Sequence, residues 1–164
     1  MPKEIERKFL VTNDSYMANS EVHHIIQGYI CSENDRVVRI RIYDNDAFLT
    51  IKNATIGFSR DEFEYHIPLA DAETMLRSIC QQPIIEKYRY KFIYEGFIWE
   101  IDHFEGDNNG LVIAEIELPN ENTTFTLPPF IGKEVTGDTH YYNACLNKHP
   151  FNEWKDEHLK NMGL

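Results

Sequence analysis

Polar and apolar residues alternate with a period of two along most of the chain, the repeat of a strand whose two faces meet different surroundings. The alternation predicts strands near 2–12, 22–31, 36–43, 46–53, 59–68, 85–94, 97–105 and 110–118. Turn chemistry falls between them. Asp44-Asn45-Asp46 and Glu95-Gly96 stand where hairpins are needed, and Gly106-Asp107-Asn108-Asn109-Gly110 supplies a longer connection. Short strands that follow one another so closely pair antiparallel, and a closed sheet leaves no edge exposed. The expected fold is α+β: a closed eight-stranded antiparallel β-barrel with helices packed outside. Helical spacing interrupts the alternation three times. Ala72, Met75, Leu76, Ile79 and Cys80 form a stripe behind Asp71, read as its N-cap. Tyr141, Tyr142, Cys145 and Leu146 follow Asp138, and Phe151, Trp154, His158 and Leu159 follow Pro150. These stripes are packing surfaces expected against the outside of the sheet.

Strand parity carries the chemistry. Glu4, Glu6 and Lys8 share a face, as do Arg39 and Arg41, Thr50 and Lys52, and then Arg60, Glu62, Glu64 and His66. The same holds for Lys87, Arg89 and Lys91, for Glu100 and Asp102, and for Glu115 and Glu117. For any one strand a solvated outer face explains this. For the set it does not, because the signs segregate: three strands carry only bases at their charged positions and two carry only acids. Charged faces turned inward account for the pattern. Seven bases (Lys8, Arg39, Arg41, Lys52, Arg60, Lys87, Arg89) would then share one cavity with up to eight carboxylates (Glu4, Glu6, Glu62, Glu64, Glu100, Asp102, Glu115, Glu117). So many buried ions require water and charged ligands. Converging carboxylates suit Mg²⁺ or Mn²⁺, and a basic wall suits phosphate oxygens.

Composition narrows the setting. The chain has 164 residues, read as a single domain over 1–164, and a net charge of −11, which argues against nucleic acid and anionic membranes as partners. No apolar run approaches a membrane span, and the N-terminus MPKEIERKFLV lacks a secretory h-region. Cys31, Cys80 and Cys145 form neither a disulfide framework nor a metal pair, so a cytoplasmic location is expected. No histidine forms a convincing constellation with carboxylates, and no Walker A, GxGxxG or GxSxG is present.

The opening Glu4-Ile5-Glu6-Arg7-Lys8 resembles the ExExK signature of the CYTH superfamily, the triphosphate tunnel metalloenzymes. Further segments resemble that family in order: Gln27-Gly28-Tyr29, Val38-Arg39-Ile40-Arg41, Leu49-Thr50-Ile51-Lys52, Arg60-Asp61-Glu62-Phe63-Glu64-Tyr65, Glu86-Lys87-Tyr88-Arg89-Tyr90, Trp99-Glu100-Ile101-Asp102 and Ala114-Glu115-Ile116-Glu117. The likeness is greatest to short bacterial members. It implies metal ligation by Glu4, Glu6, Asp102, Glu115 and Glu117. It implies phosphate binding by Lys8, Arg39, Arg41, Lys52, Lys87 and Arg89, joined by Arg60. Tyr29 matches a tunnel tyrosine. A carboxylate that orients the attacking water is sought in Glu62 or Glu64, which with Lys8 and Tyr29 form the candidate catalytic group.

The resemblance implies metal-dependent hydrolysis of inorganic tripolyphosphate, with nucleoside triphosphates as further substrates. A class IV adenylyl cyclase, a thiamine triphosphatase and a non-catalytic polyphosphate sensor stay open, as does a homodimer. On the tunnel parity only Tyr29 and Phe104 are read as aromatic, with Tyr65, Tyr88, Tyr90, Phe92 and Trp99 under helices. That reading predicts indifference to the nucleobase. Mutual repulsion among Glu4, Glu6, Glu115 and Glu117 without metal also predicts that replacing any one of the four by Gln leaves stability unchanged or raised.

Overall fold

The structure, a computed structural model, describes residues 3–33, 35–57 and 59–163, with the side chains of Lys3 and Glu4 outside that description. Eight strands make the barrel: β1 (Lys3–Val11), β2 (Glu21–Glu33), β3 (Arg36–Tyr43), β4 (Asp46–Asn53), β5 (Ser59–Ile67), β6 (Ile85–Tyr94), β7 (Phe97–Phe104) and β8 (Val112–Glu117). They run in the order β5-β4-β3-β2-β6-β7-β8-β1, every neighbour antiparallel, and β1 returns to β5 through Lys3–Ile5 opposite Ser59–Asp61. All eight expected strands are present. The hairpins follow turn chemistry: Glu95 and Gly96 both take positive φ, 46° and 83°, the pairing that a two-residue turn needs to match strand twist.

A ninth strand, β9 (Ile131–Glu134), was not anticipated. It joins β1 beside β5, with Phe9 opposite Glu134 and Val11 opposite Ile131. The edge of β1 is thus divided between two partners. Arg7 fastens this junction with two hydrogen bonds to Glu134, at 2.8 and 2.6 Å. Four residues including a glycine give too little alternation to be read as a strand.

Directly opposed residues of an antiparallel pair share a face, so the register verifies the parity argument. Arg39 faces Thr50, Lys52 faces Glu62, Arg89 faces Asp102, Glu100 faces Glu115 and Glu6 faces Glu117. The opposite, outward face is covered in two ways. α1 (Leu69–Ser78) lies over β2, β3 and β4, where Ala72 and Leu76 pack with Ile40, Ala47 and Cys80. Gly28 permits this approach, since a Cβ there would stand 2.9 Å from the Cβ of Cys80. Over β1, β6, β7 and β8 the cover is loop, not helix: Tyr16, Phe125 and Phe130 pack onto Phe9, Trp99, Ile101 and Ile116. Of the aromatic residues expected under helices, Trp99 is buried beneath these loops, whereas Tyr65 and Tyr88 are exposed. α1 begins one residue after Pro68, so Asp71 lies in its first turn and is not its cap.

The C-terminal helices, α2 (Asn143–Lys148) and α3 (Lys155–Asn161), carry a different duty. Tyr141, Leu146, Phe151 and Trp154 pack with Leu10, Ile85, Phe104 and Ile113, which share the inward parity. This segment therefore seats on one end of the barrel, while α1 covers its side. Asp138 does act as a cap, accepting from the His140 backbone N–H at 3.1 Å ahead of a short 3-10 turn.

Candidate active site

The barrel encloses a cavity of about 740 Å³. Its wall includes the predicted bases Lys8, Arg39, Arg41, Lys52, Arg60 and Arg89, the predicted carboxylates Glu6, Glu62, Glu64, Glu115 and Glu117, and Tyr29. Glu4 lies on β1 opposite Arg60, but its side chain is outside the described residues. Lys87 and Asp102 are not on the wall; they form a layer behind it.

That layer organises the bases. Asp102 is almost fully buried and accepts from Lys87 Nζ at 2.7 Å and from Arg89 Nε and Nη2 at 2.8 and 2.9 Å. The bidentate contact fixes the plane of the Arg89 guanidinium. Burial alone would push the Asp102 carboxyl up, but Arg89 and Lys87 hold it well below the usual carboxylate range. Lys87 moves the other way. Burial is the largest influence, Asp102 only partly opposes it, and Arg89 and Arg41 add to it, so its ammonium is pushed down to about 7. Arg41 is pushed down to about 9 by burial and by Arg39 and Arg89. It donates to Gln27 Oε1 at 2.9 Å, and Gln27 in turn donates to Tyr29 Oη at 2.9 Å.

Two residues outside the predicted site complete this arrangement. Asn143, the first residue of α2, accepts from Lys87 Nζ at 2.9 Å and from Gln27 Nε2 at 3.3 Å. In the sequence Gln27 stands out only as part of a segment that resembles the family. Neither residue carries charge, and Asn143 comes from a helix whose contact with the barrel is invisible to strand parity. Tyr43, Phe48 and Tyr142 also line the cavity, which corrects the expectation that Tyr29 and Phe104 are the aromatic residues of the tunnel. Phe104 instead belongs to the apolar end, with Lys87 Nζ 5.4 Å from its ring centroid. Tyr43 and Phe48 have the parity of Arg41 and Thr50, so the signal was present; apolar residues near strand ends masked it.

Acids and bases are layered by depth. Among the described residues the buried charged side chains are five cations, Lys8, Arg39, Lys52, Lys87 and Arg89, against two anions, Asp102 and Glu115. Glu64 and Glu117 are exposed and Glu6 and Glu62 half-buried. The carboxylates reach inward to steady the bases: Glu62 pairs with Lys52 at 3.2 Å, and Glu64 lies 3.7 Å from Arg39. Arg39 also donates to Thr50 at 3.2 Å, while its buried Nε makes no hydrogen bond and is left as a donor for a ligand. An excess of buried positive charge fits a polyanion.

The second half of the site lies on β1, β8 and β7, where Glu6, Glu117, Glu115 and Glu100 stand in register. The ammonium of Lys8 sits 2.7 Å from Glu115 and 3.4 Å from Glu6. Among the described residues no three His, Cys, Asp or Glu side chains are gathered closely enough to hold a metal. The donor chemistry is nonetheless all carboxylate oxygen, which fits a hard divalent cation.

A CYTH domain model matches residues 2–143. The chain belongs to the CYTH family. Its eight-stranded tunnel is the CYTH fold, and membership carries the divalent-metal requirement of that family. An inorganic triphosphatase of Acetivibrio thermocellus is 49% identical over 156 residues, covering 95% of this chain and 100% of that one. An inorganic triphosphatase of Nitrosomonas europaea is 35% identical over 149 residues, covering 87% and 95%. A crystal structure of an inorganic triphosphatase superposes with a TM-score of 0.64 at 32% identity, covering 90% of this CYTH chain and 95% of the other. Among the described residues no helix is long and apolar enough to cross a membrane.

Proposed function

We propose that this CYTH protein hydrolyses inorganic tripolyphosphate in the cytoplasm, with Mg²⁺ or Mn²⁺, as one domain spanning 1–164. The observation that carries the reading is the layering of the cavity: an excess of buried cations beside carboxylates that stand in register on β1, β8 and β7. The relatives named inorganic triphosphatases support it. In this reading Arg39, Arg41, Arg89 and Lys8 bind the non-bridging oxygens of the phosphate chain, and Lys52 and Arg60 extend the wall. Asp102 positions Lys87 and Arg89 instead of meeting solvent. Glu62 and Glu64 hold Lys52 and Arg39 in place and lie beside the path of the attacking water. Glu6, Glu115 and Glu117, joined by Glu4, would hold the divalent ion, which supplies charge neutralisation along the phosphate chain. Water attacks the terminal phosphorus, the phosphoanhydride bond breaks, and phosphate and pyrophosphate leave.

A phosphate-release screen of tripolyphosphate, ATP, GTP and thiamine triphosphate with Mg²⁺ or Mn²⁺ tests this, with chromatography for cyclic AMP alongside. Phosphate from tripolyphosphate is expected. Cyclic AMP from ATP would identify a cyclase, selective release from thiamine triphosphate a thiamine triphosphatase, and tight binding without turnover a polyphosphate sensor.

A further inference from the structure

Past Arg41 the charged lining gives way to rings. Tyr43 follows Arg41 on the same face of β3, and Phe48 stands directly opposite Arg41 on β4. Both line the cavity. Each is backed by an imidazole: the Phe48 and His66 rings lie 4.4 Å apart, and those of Tyr43 and His23 lie 4.9 Å apart. Lys91 Nζ lies 5.5 Å from the Tyr43 ring centroid. Two residues further on the same face of β6, Ile93 opposes Ile98 of β7, and the two are 72% and 55% exposed. The Tyr43 hydroxyl is buried without a hydrogen-bond partner and can donate to a phosphate oxygen, but Phe48, Ile93 and Ile98 offer phosphate nothing, so most of this rim has no use in gripping tripolyphosphate. Apolar groups held open at the end of a charged cavity suit a ligand that is anionic at one end and flat and apolar at the other.

We infer that the Tyr43–Phe48 rim is a subsite for the base of a nucleoside triphosphate. Resting on the triphosphatase reading, it places the base against Phe48 and Tyr43 while the phosphates extend past Arg41 to the bases beyond. Phe48 stands directly opposite Arg41 in register, so a base on its ring and phosphates on the cationic side chains beyond would lie along one wall of the cavity. Stacking uses the face common to every base, so adenine and guanine are accepted alike. Tripolyphosphate has nothing to stack and does not sense the Phe48 ring. Indifference to which base is attached thus arises from a non-specific aromatic surface and not from a lack of aromatic residues.

The test compares kcat/KM for ATP, GTP and tripolyphosphate at fixed Mg²⁺ in the wild type, Phe48→Ala and Phe48→Leu. The leucine variant keeps most of the volume and removes the aromatic face, so it reports on stacking even where the alanine variant fails to fold. ATP and GTP are expected to fall together by about tenfold, within the range for loss of one base–aromatic stack. Tripolyphosphate should stay within about twofold. An equal fall for all three substrates, or no fall for ATP and GTP, overturns the subsite. Should the wild type release phosphate from none of them, the triphosphatase reading fails separately. Calorimetric binding of a non-hydrolysable ATP analogue against tripolyphosphate still reads the subsite: only the analogue should weaken in Phe48→Leu, and equal affinities in variant and wild type would refute it.

Discussion

Lys8 and Lys87 are both buried ammonium groups, and their neighbours drive them apart. Burial opposes the charge on each. At Lys8, Glu115 and Glu6 more than compensate and raise the group above the ordinary lysine range. Glu115 is therefore expected to differ from a carboxylate that only repels its neighbours: its removal should cost stability. Glu115→Gln is expected to lower stability by about 1–3 kcal/mol, the cost of a buried donor losing its hydrogen-bond partner, because Glu6 still stands 3.4 Å from the Lys8 ammonium. The exposed Glu117→Gln should barely move it. Both should cut turnover by more than the roughly 10–100-fold that an outer partner of a metal ligand is worth. Denaturant midpoints and kcat for the two variants check this; an unchanged midpoint in Glu115→Gln would show that Lys8 does not depend on it. Lys87, pushed down to about 7, titrates near neutrality. A polyanion in the cavity favours its charged form, so binding at pH 8 should draw up to one proton from solution, and affinity should fall as pH rises above about 7. For the empty protein, the unfolded chain holds this proton between about 7 and the ordinary lysine value while the fold does not, so this group makes stability rise with pH across that window. Calorimetry in two buffers of different ionisation enthalpy measures the uptake, and Lys87→Gln should abolish it.

At the scale of elements, α2 matters out of proportion to its six residues. Its first residue holds Lys87 and Gln27, and its Leu146 plugs the barrel. Asn143→Ala should therefore lower kcat for tripolyphosphate by about tenfold, with stability reduced by about 1–3 kcal/mol for the donors left unsatisfied. Restoration by Asn143→Asp, which keeps an acceptor for Lys87, would separate positioning from packing; equal losses in both variants would count against the contact. The strands were legible because the alternation has a simple cause: one face meets charged ligands and water, the other a loop or a helix. Arg39, Arg41, Glu115 and Glu117 could be read from that alone, and the register confirms their common face. What parity could not reveal was depth. Asp102 shares the inward face of Glu100 yet sits behind the wall, paired there with Lys87 and reached from the wall by Arg89. Asn143 and the short β9 escaped for a related reason: their roles depend on segments that return to the barrel from far along the chain.

For the whole molecule, a net charge of −11 coexists with an interior in which buried cations outnumber buried anions. A substrate polyanion thus approaches a protein of like net charge before it reaches the bases that bind it. Added salt should therefore weaken the repulsion outside more than the confined contacts inside. Association rates for tripolyphosphate are expected to rise as ionic strength increases toward about 0.15 M, where the screening length has shrunk to roughly 8 Å. Stopped-flow binding measures this, and a monotonic fall in rate would mean that the entrance attracts anions. The divided edge of β1 has a further consequence. Where β5 meets it, the ring is joined among the described residues by three residue pairs, against five between β1 and β8. Glu6 stands just beyond this seam on β1, and Arg60 lies within it on β5. The shortest joint of the ring among the described residues thus runs along the wall of the cavity. A thermal fluctuation that parts β1 from β5 would turn the tunnel into an open trough while β9 still anchors the far half of β1. Heating should consequently extinguish activity several degrees before circular dichroism reports loss of the sheet, with amide exchange at Ile5 and Ser59 rising ahead of exchange at Phe9 and Ala114.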